Sequence, residues 1–168
     1  LSLNVGLSGL SNRRGFMILA TGLLKFARRA HHPLCLLYID MDCLKQINDT
    51  FGHAEGDLAL THFVRMLTET FRDSDVIGRM GGDEFVILTI DATKKDIATI
   101  QARLQGKLDE YNLQSVRGYV LSFSLGIVQV DLNSTYGIDT VLTQADAVMY
   151  EQKRLKKGNP ANNPRPVS

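Results

Sequence analysis

Arg79-Met80-Gly81-Gly82-Asp83-Glu84-Phe85 sets two adjacent glycines between a predicted strand over residues 76–80 and a more apolar one over 85–90. β-branched and apolar residues on both sides of a Gly-Gly pair read as a tight β-hairpin. Two carboxylates follow directly on the turn, where the missing Cβ atoms of Gly81 and Gly82 let a ligand approach the backbone. Taken alone, Gly-Gly-Asp is ordinary turn chemistry with Glu84 facing solvent. Its neighbours in the chain have to decide between the two readings.

The nearest of these is residues 34–41, LCLLYIDM, a nearly continuous apolar run of the kind found in a strand buried on both faces. It ends in Asp40-Met41-Asp42. Asp42 has an inexpensive explanation as the cap of a short helix beginning at Cys43. Asp40 is still inside the strand, and burying its charge is costly unless something compensates it. A bound cation is the reading we favour.

Outward from these two strands the chain alternates helices and strands. Apolar residues at Phe16, Leu19, Leu23, Phe26, Ala27 and Ala30 predict a helix over about 11–31, stopped by Pro33, with His31 and His32 solvated at its end. One or two helical turns over 43–48 carry Lys45, and residues 50–57 form a turn-rich loop. Helices follow over 56–71, 93–111 and 138–156, with buried sides marked by Leu60, Phe63 and Leu67, by Ile97, Leu104 and Leu108, and by Val141, Ala145 and Met149. Residues 119–131 alternate Leu121, Phe123, Leu125 and Ile127 against Ser122, Ser124 and Gly126, the pattern of a half-covered antiparallel strand. This order predicts an α/β (α+β) sandwich around a central, mostly antiparallel five-stranded sheet flanked by helices, of a palm or nucleotidyl-cyclase-like kind.

Composition bounds the rest. A chain of 168 residues, 44% apolar and 22% charged, is one soluble globular domain with a real core. A net charge of +1 offers no general argument for nucleic acid as a partner. Cys35 and Cys43 make neither a disulfide framework nor a metal-ligand pair, which points to a reducing, cytoplasmic setting. Residues 16–24 resemble a signal-peptide core, but Lys25 interrupts them and no small-residue cleavage site follows. The first residue is Leu1, which suggests a domain excised from a longer protein or a processed start. Residues 1–7 form an apolar lead-in, and the Pro- and Asn-rich stretch 160–168 reads as a disordered tail.

If Asp40 ends a central strand beside the hairpin, then Asp40, Asp83 and Glu84 converge and repel one another unless a divalent cation sits among them. Hard oxygen ligands suit magnesium or manganese. Two such ions roughly 3.5–4 Å apart can activate a hydroxyl and stabilise a leaving pyrophosphate. Lys45 is placed to neutralise phosphate, and the first amides of its helix, at Cys43 and Leu44, can donate to phosphate oxygens. The residues themselves thus lead to metal-dependent phosphoryl or nucleotidyl transfer and stop short of the substrate.

At this point the chain resembles a known family. The motif Gly81-Gly82-Asp83-Glu84-Phe85 with Arg79 before it is similar to the signature of GGDEF domains, the catalytic domains of diguanylate cyclases. Residues 7–16 (LSGLSNRRGF) resemble that family's opening LTGLxNRRxF. Asp40, Asp42, Lys45, Asn48-Asp49, Phe51-Gly52-His53 and Gly56-Asp57 follow at family spacing, and residues 122–127 and 145–153 resemble its SxG strand and ADxAxYxxK helix. Together these motifs place a domain of this type over residues 1–159.

The resemblance implies condensation of two GTP into cyclic di-GMP with release of two pyrophosphates, in a homodimer whose two sites face each other. It implies that Asp40, the carbonyl of Met41, Asp83 and Glu84 bind two magnesium (or manganese) ions, and that Asp83 accepts the 3′-hydroxyl proton. It places Asn48 and Asp57 on the guanine edge, where a carboxylate can accept from N1–H and N2–H, and Lys45 and Lys153 on phosphate. Arg72 and Asp75 fit the RxxD motif at which the family binds its own product, against the plainer reading of an i,i+3 ion pair. The resemblance also implies a cytoplasmic domain joined to an upstream sensor or to a membrane protein. Departures are Val5 for the usual acidic residue, Leu44 for phenylalanine, Gln144 for arginine, and a displaced Gly158-Asn159 that leaves open which of Lys153, Arg154, Lys156 and Lys157 reaches phosphate. The rival is a non-catalytic module that binds GTP or cyclic di-GMP.

Overall fold

The computed structural model describes residues 10–158. The expected lead-in, Val5, the first residues of the opening motif, Asn159 and the expected disordered tail lie outside the described residues. The elements run α1 (Arg13–Ala30), β1 (Leu34–Met41), α2 (Leu44–Phe51), α3 (His53–Thr70), β2 (Val76–Arg79), β3 (Glu84–Ile90), α4 (Lys94–Gln114), β4 (Phe123–Gln129) and α5 (Ile138–Lys157). The strands pair antiparallel in the order β2-β3-β1-β4.

Side-chain alternation assigns the two faces of the sheet. Leu37, Ile39 and Met41 of β1 and Phe85 and Ile87 of β3 pack with Phe63 and Leu67 of α3 and Leu104 and Leu108 of α4. On the opposite face Leu36, Tyr38, Val86 and Leu88 pack with Phe16, Ala20 and Leu24 of α1 and Ala145 and Met149 of α5. All eight residues of β1 are buried, as a central strand covered on both sides requires. No helix among the described residues is long and apolar enough to cross a membrane.

Several expectations need correcting. The sheet has four strands among the described residues, not five. Ser11 adds only a one-residue bridge to Gly78, because Asn12 immediately caps α1 by accepting from the Gly15 amide at 2.8 Å. β4 starts at Phe123 rather than 119, since the side-chain amide of Asn112 takes both backbone groups of Leu121, at 2.8 Å each. Nor is β4 half-covered: Ser124 is 4% exposed, and Gly126 lies beneath α5. The loop expected over 50–57 shrinks to Gly52, whose φ of 93° lets the chain leave α2 and enter α3 within one residue. His32 is not simply solvated; its ring pairs with Asp91 at 2.5 Å and stacks on Phe26.

Candidate active site

The hairpin turn is wider than a two-residue Gly-Gly connection. β2 ends at Arg79, Met80 N donates to Glu84 O at 2.9 Å, and residues 80–83 make the turn. The Arg79 guanidinium closes it from outside, donating to Gly81 O (3.1 Å) and Gly82 O (2.8 Å). Neither glycine has a positive φ. What they provide is room: a Cβ on Gly82 would meet nothing within 4 Å, and one on Gly81 only Glu84 Oε2 at 3.8 Å.

Register sets the carboxylates. Antiparallel pairing puts Asp40 opposite Glu84 on one side and Ser124 on the other, and Met41 N donates to Asp83 O at 2.9 Å. Asp40 is 6% exposed. Its Oδ2 accepts from Lys153 Nζ at 2.6 Å, and its buried Oδ1 has no hydrogen-bond partner. The Asp40 carboxyl is raised to about 6: burial pushes it up, the hydrogen bond from Lys153 pulls it down, and the neighbouring charge of Asp83 raises it again. For Lys153, burial works against its charge, but Asp40, Asp42 and Asp83 outweigh it and hold its ammonium above its usual range.

Glu84 departs from the expected cluster of three. Its Oε2 accepts from Tyr38 OH at 2.9 Å, which draws the carboxylate along the sheet face. Burial first, and Glu84 second, push the Tyr38 phenol well above its usual range, so it stays a donor. Among the described residues, no three Asp, Glu, His or Cys side chains are arranged to hold a metal ion. Asp40 and Asp83 meet, and Glu84 stands beside them.

Asp42 is not the cap of α2. Cys43, in the left-handed region at φ 63°, ends the preceding turn with no side-chain cap. Asp42 instead accepts from Ser122 Oγ (2.9 Å), Ser124 Oγ (2.8 Å) and Lys156 Nζ (2.6 Å), and Lys156 also donates to Phe123 O. Beside this network opens a cavity of about 420 Å³ lined by Cys43, Leu44, Lys45, Asp83, Lys153 and Lys157, among others. Of the C-terminal basic residues, Lys153, Lys156 and Lys157 line it, while Arg154 pairs with Glu151 on the exposed side of α5.

Asn48 and Asp57 lie outside that cavity, at the α2–α3 junction. Asn48 rests on Gly56, where a Cβ would fall 1.7 Å from its Oδ1. Asp57 is exposed, one turn inside α3 rather than at its cap. Arg72 and Asp75 sit at the far edge. Asp75 is buried and accepts from the amides of Arg72 (2.9 Å) and Ile90 (3.3 Å), while Arg72 Nη2 reaches Ile90 O and lies 3.6 Å from Asp75.

Tyr38 is absent from the sequence reading as a site residue, Asp42 entered it with a role only as a helix cap, and Lys156 only as one of four basic residues able to reach phosphate. A phenol in an otherwise aliphatic strand, two residues before Asp40, is the signal that could have found the first. Nothing in the sequence marks the pairing of Asp42 with Lys156.

The family described as "Diguanylate cyclase, GGDEF domain" matches residues 6–159. The chain is 39% identical over 155 residues to diguanylate cyclase DgcP of Escherichia coli (strain K12), covering 92% of this chain but only 45% of DgcP. It is 27% identical, with a TM-score of 0.80, to diguanylate cyclase SiaD of Pseudomonas aeruginosa, solved in complex with its activator SiaC, over 92% of this chain and 59% of that one. The GGDEF domain of DgcB from Caulobacter crescentus, solved in complex with c-di-GMP, shares the fold at a TM-score of 0.83 and 23% identity, over 92% and 91% of the two chains. The chain belongs to the family of diguanylate cyclase GGDEF domains.

Proposed function

We propose that residues 1–159 form a GGDEF domain that condenses two GTP into cyclic di-GMP. The carrying observation is the meeting of buried Asp40, one oxygen without a partner, with Asp83 beside a lysine-lined cavity. The 3′-oxygen of each GTP attacks the α-phosphorus of the other, forming a phosphodiester bond as pyrophosphate leaves. Asp83 takes the hydroxyl proton. Lys45, Lys153 and the amides of Cys43 and Leu44 hold the triphosphate, and Asn48 and Asp57 read the guanine edge. Each subunit of a homodimer carries one GTP, and a sensor region elsewhere in a longer protein brings the two together.

The chemistry of the donor set suits a divalent cation, with Glu84 the one carboxylate turned aside, toward Tyr38. Asp40, Asp83, Glu84 and the Met41 carbonyl offer hard oxygens, and the orphaned Asp40 Oδ1 is a buried acceptor in want of positive charge. Two magnesium or manganese ions held there would polarise the attacking and leaving oxygens. Incubating a forcibly dimerised chain with GTP and magnesium should yield cyclic di-GMP. A dimer that binds GTP and forms none would overturn the proposal, and comparable turnover of ATP would point to another nucleotidyl cyclase.

Protons and cations compete for Asp40. The carboxyl is raised, so it is neutral below about 6 and anionic above. Apparent magnesium affinity should therefore weaken as the pH falls through that value. Magnesium titrations at two pH values, one on either side, check this; equal affinities would remove Asp40 from the ligand set.

We also propose product inhibition through Arg72 and Asp75. The buried Asp75 fastens the start of β2 to the end of β3, which leaves Arg72, with a side chain 55% exposed, as the group able to grip an anionic ligand. Arg72→Ala should raise the inhibitory product concentration ~10-fold or more, the loss of a charge-assisted contact, with initial rates retained. Unchanged inhibition leaves the pair as an edge fastening alone.

A further inference from the structure

The segment joining α4 to β4 is fastened at three places. At its base Asn112 exchanges two hydrogen bonds with Leu121. At its end Ser122 and Ser124 hold Asp42. At its tip Arg117 Nη1 (2.5 Å) and Tyr119 OH (2.8 Å) both donate to Glu55 Oε1. Gly118, at φ 81°, turns the backbone there, its α-carbon facing the Phe51 ring, and the Phe51 and Tyr119 rings pack at 5.2 Å.

The contacts of the Arg117 and Tyr119 side chains with Glu55 and Phe51 land on the α2–α3 junction, between Asn48 and Asp57. Within the junction the Gly52 amide donates to Asn48 O at 2.9 Å and the Gly56 amide to Gly52 O at 3.2 Å. Gly52 is its one non-helical residue, and residues 51–54 are all exposed. Glu55 lies in the first turn of α3, next to the Gly56 on which the Asn48 amide rests and two residues before Asp57. Holding Glu55 fixes the first turn of α3, which leads into Gly56 and Asp57, while the packing of Tyr119 on Phe51 holds the end of α2, which carries Asn48. The hydrogen bonds from Arg117 and Tyr119 keep the Glu55 carboxyl below its usual range, so the tie stays charged at neutral pH.

We infer that Arg117 and Tyr119 are positioning residues for the guanine subsite: through Glu55 they set the distance between Asn48 and Asp57. This rests on the reading of Asn48 and Asp57 as guanine contacts. The tie lies at the surface, with side chains 25% (Glu55) and 38% (Arg117) exposed and Val116 beside it 99% exposed. Exposed pairs contribute little to global stability, so its loss should appear in nucleotide recognition and not in unfolding.

The test measures binding of a non-hydrolysable GTP analogue with magnesium, alongside the unfolding midpoint and steady-state kinetics. The Arg117→Ala/Tyr119→Phe double variant should bind the analogue ~10-fold more weakly, as expected for two lost hydrogen bonds. Its midpoint and its kcat at saturating GTP should be unchanged, and its preference for GTP over ITP, which lacks the 2-amino group, should narrow. Tyr119→Phe alone should show a smaller loss. Gly56→Ala, which displaces Asn48 directly, should show a larger one. An unchanged affinity in the double variant, or a matching fall in kcat and midpoint, overturns the inference. Gly56→Ala binding as well as the unaltered chain, or an unaltered chain that fails to bind the analogue, overturns the guanine-subsite reading itself and the inference with it.

Discussion

An Asp83→Ala chain should fold as before and make no detectable cyclic di-GMP. Removing a positioned base alone costs ~10²–10⁴-fold in rate, and this substitution also withdraws an oxygen from the proposed cation site. The fold should survive because Asp83 is only half-buried and its structural contribution is its backbone carbonyl, which alanine keeps for Met41 N. Asp40 should also become more acidic, since the charge of Asp83 raises it. The experiment pairs product formation with a thermal melt. Turnover within a few-fold of the unaltered chain would mean that another group takes the proton.

Gly126→Ala should be the most damaging small substitution for stability. A Cβ there would sit 2.3 Å from Ala145 O, 2.4 Å from Met149 N and 2.9 Å from Met149 Cα. All three are backbone atoms, so no rotamer change can relieve the overlap, and α5 must lift from the sheet. Overpacking costs typically ~1–3 kcal/mol, and the rigid neighbours put this case at or above the upper end. For a domain of this size that lowers the melting temperature by roughly 6–12 °C. Because α5 carries Lys153 and Lys156, nucleotide binding should weaken with it. A melt indistinguishable from the unaltered chain would show that α5 does not bear on β4 as closely as described.

What could be read directly from the sequence was whatever acts locally. The apolar run 34–41 became the wholly buried β1, and helical periodicity located α1, α4 and α5 to within a few residues. Errors arose where side chains served a distant partner. Ser124 and Gly126 read as a solvent face because small and polar residues usually mark one, yet their smallness is what admits α5. Residues 119–122 kept a strand's alternation while Asn112 took the backbone groups of Leu121. In the site, Asp40 and Asp83 could be singled out because a buried strand end and a glycine turn are visible in order. The deflection of Glu84 by Tyr38 could not, since it depends on a rotamer across two strands. Asp42 misled for a similar reason: the serines that hold it lie 80 and 82 residues away.

The ion pairs Lys153–Asp40 and Lys156–Asp42 span 113 and 114 residues of chain. Contacts of such sequence separation form late, because loop closure must precede them. During synthesis β1 leaves the ribosome before α5 exists, so Asp40 waits for 113 further residues before Lys153 can reach it. The lysine-lined cavity therefore closes only when α5 docks, and a bound nucleotide would report a domain with α5 in place rather than a partly folded one.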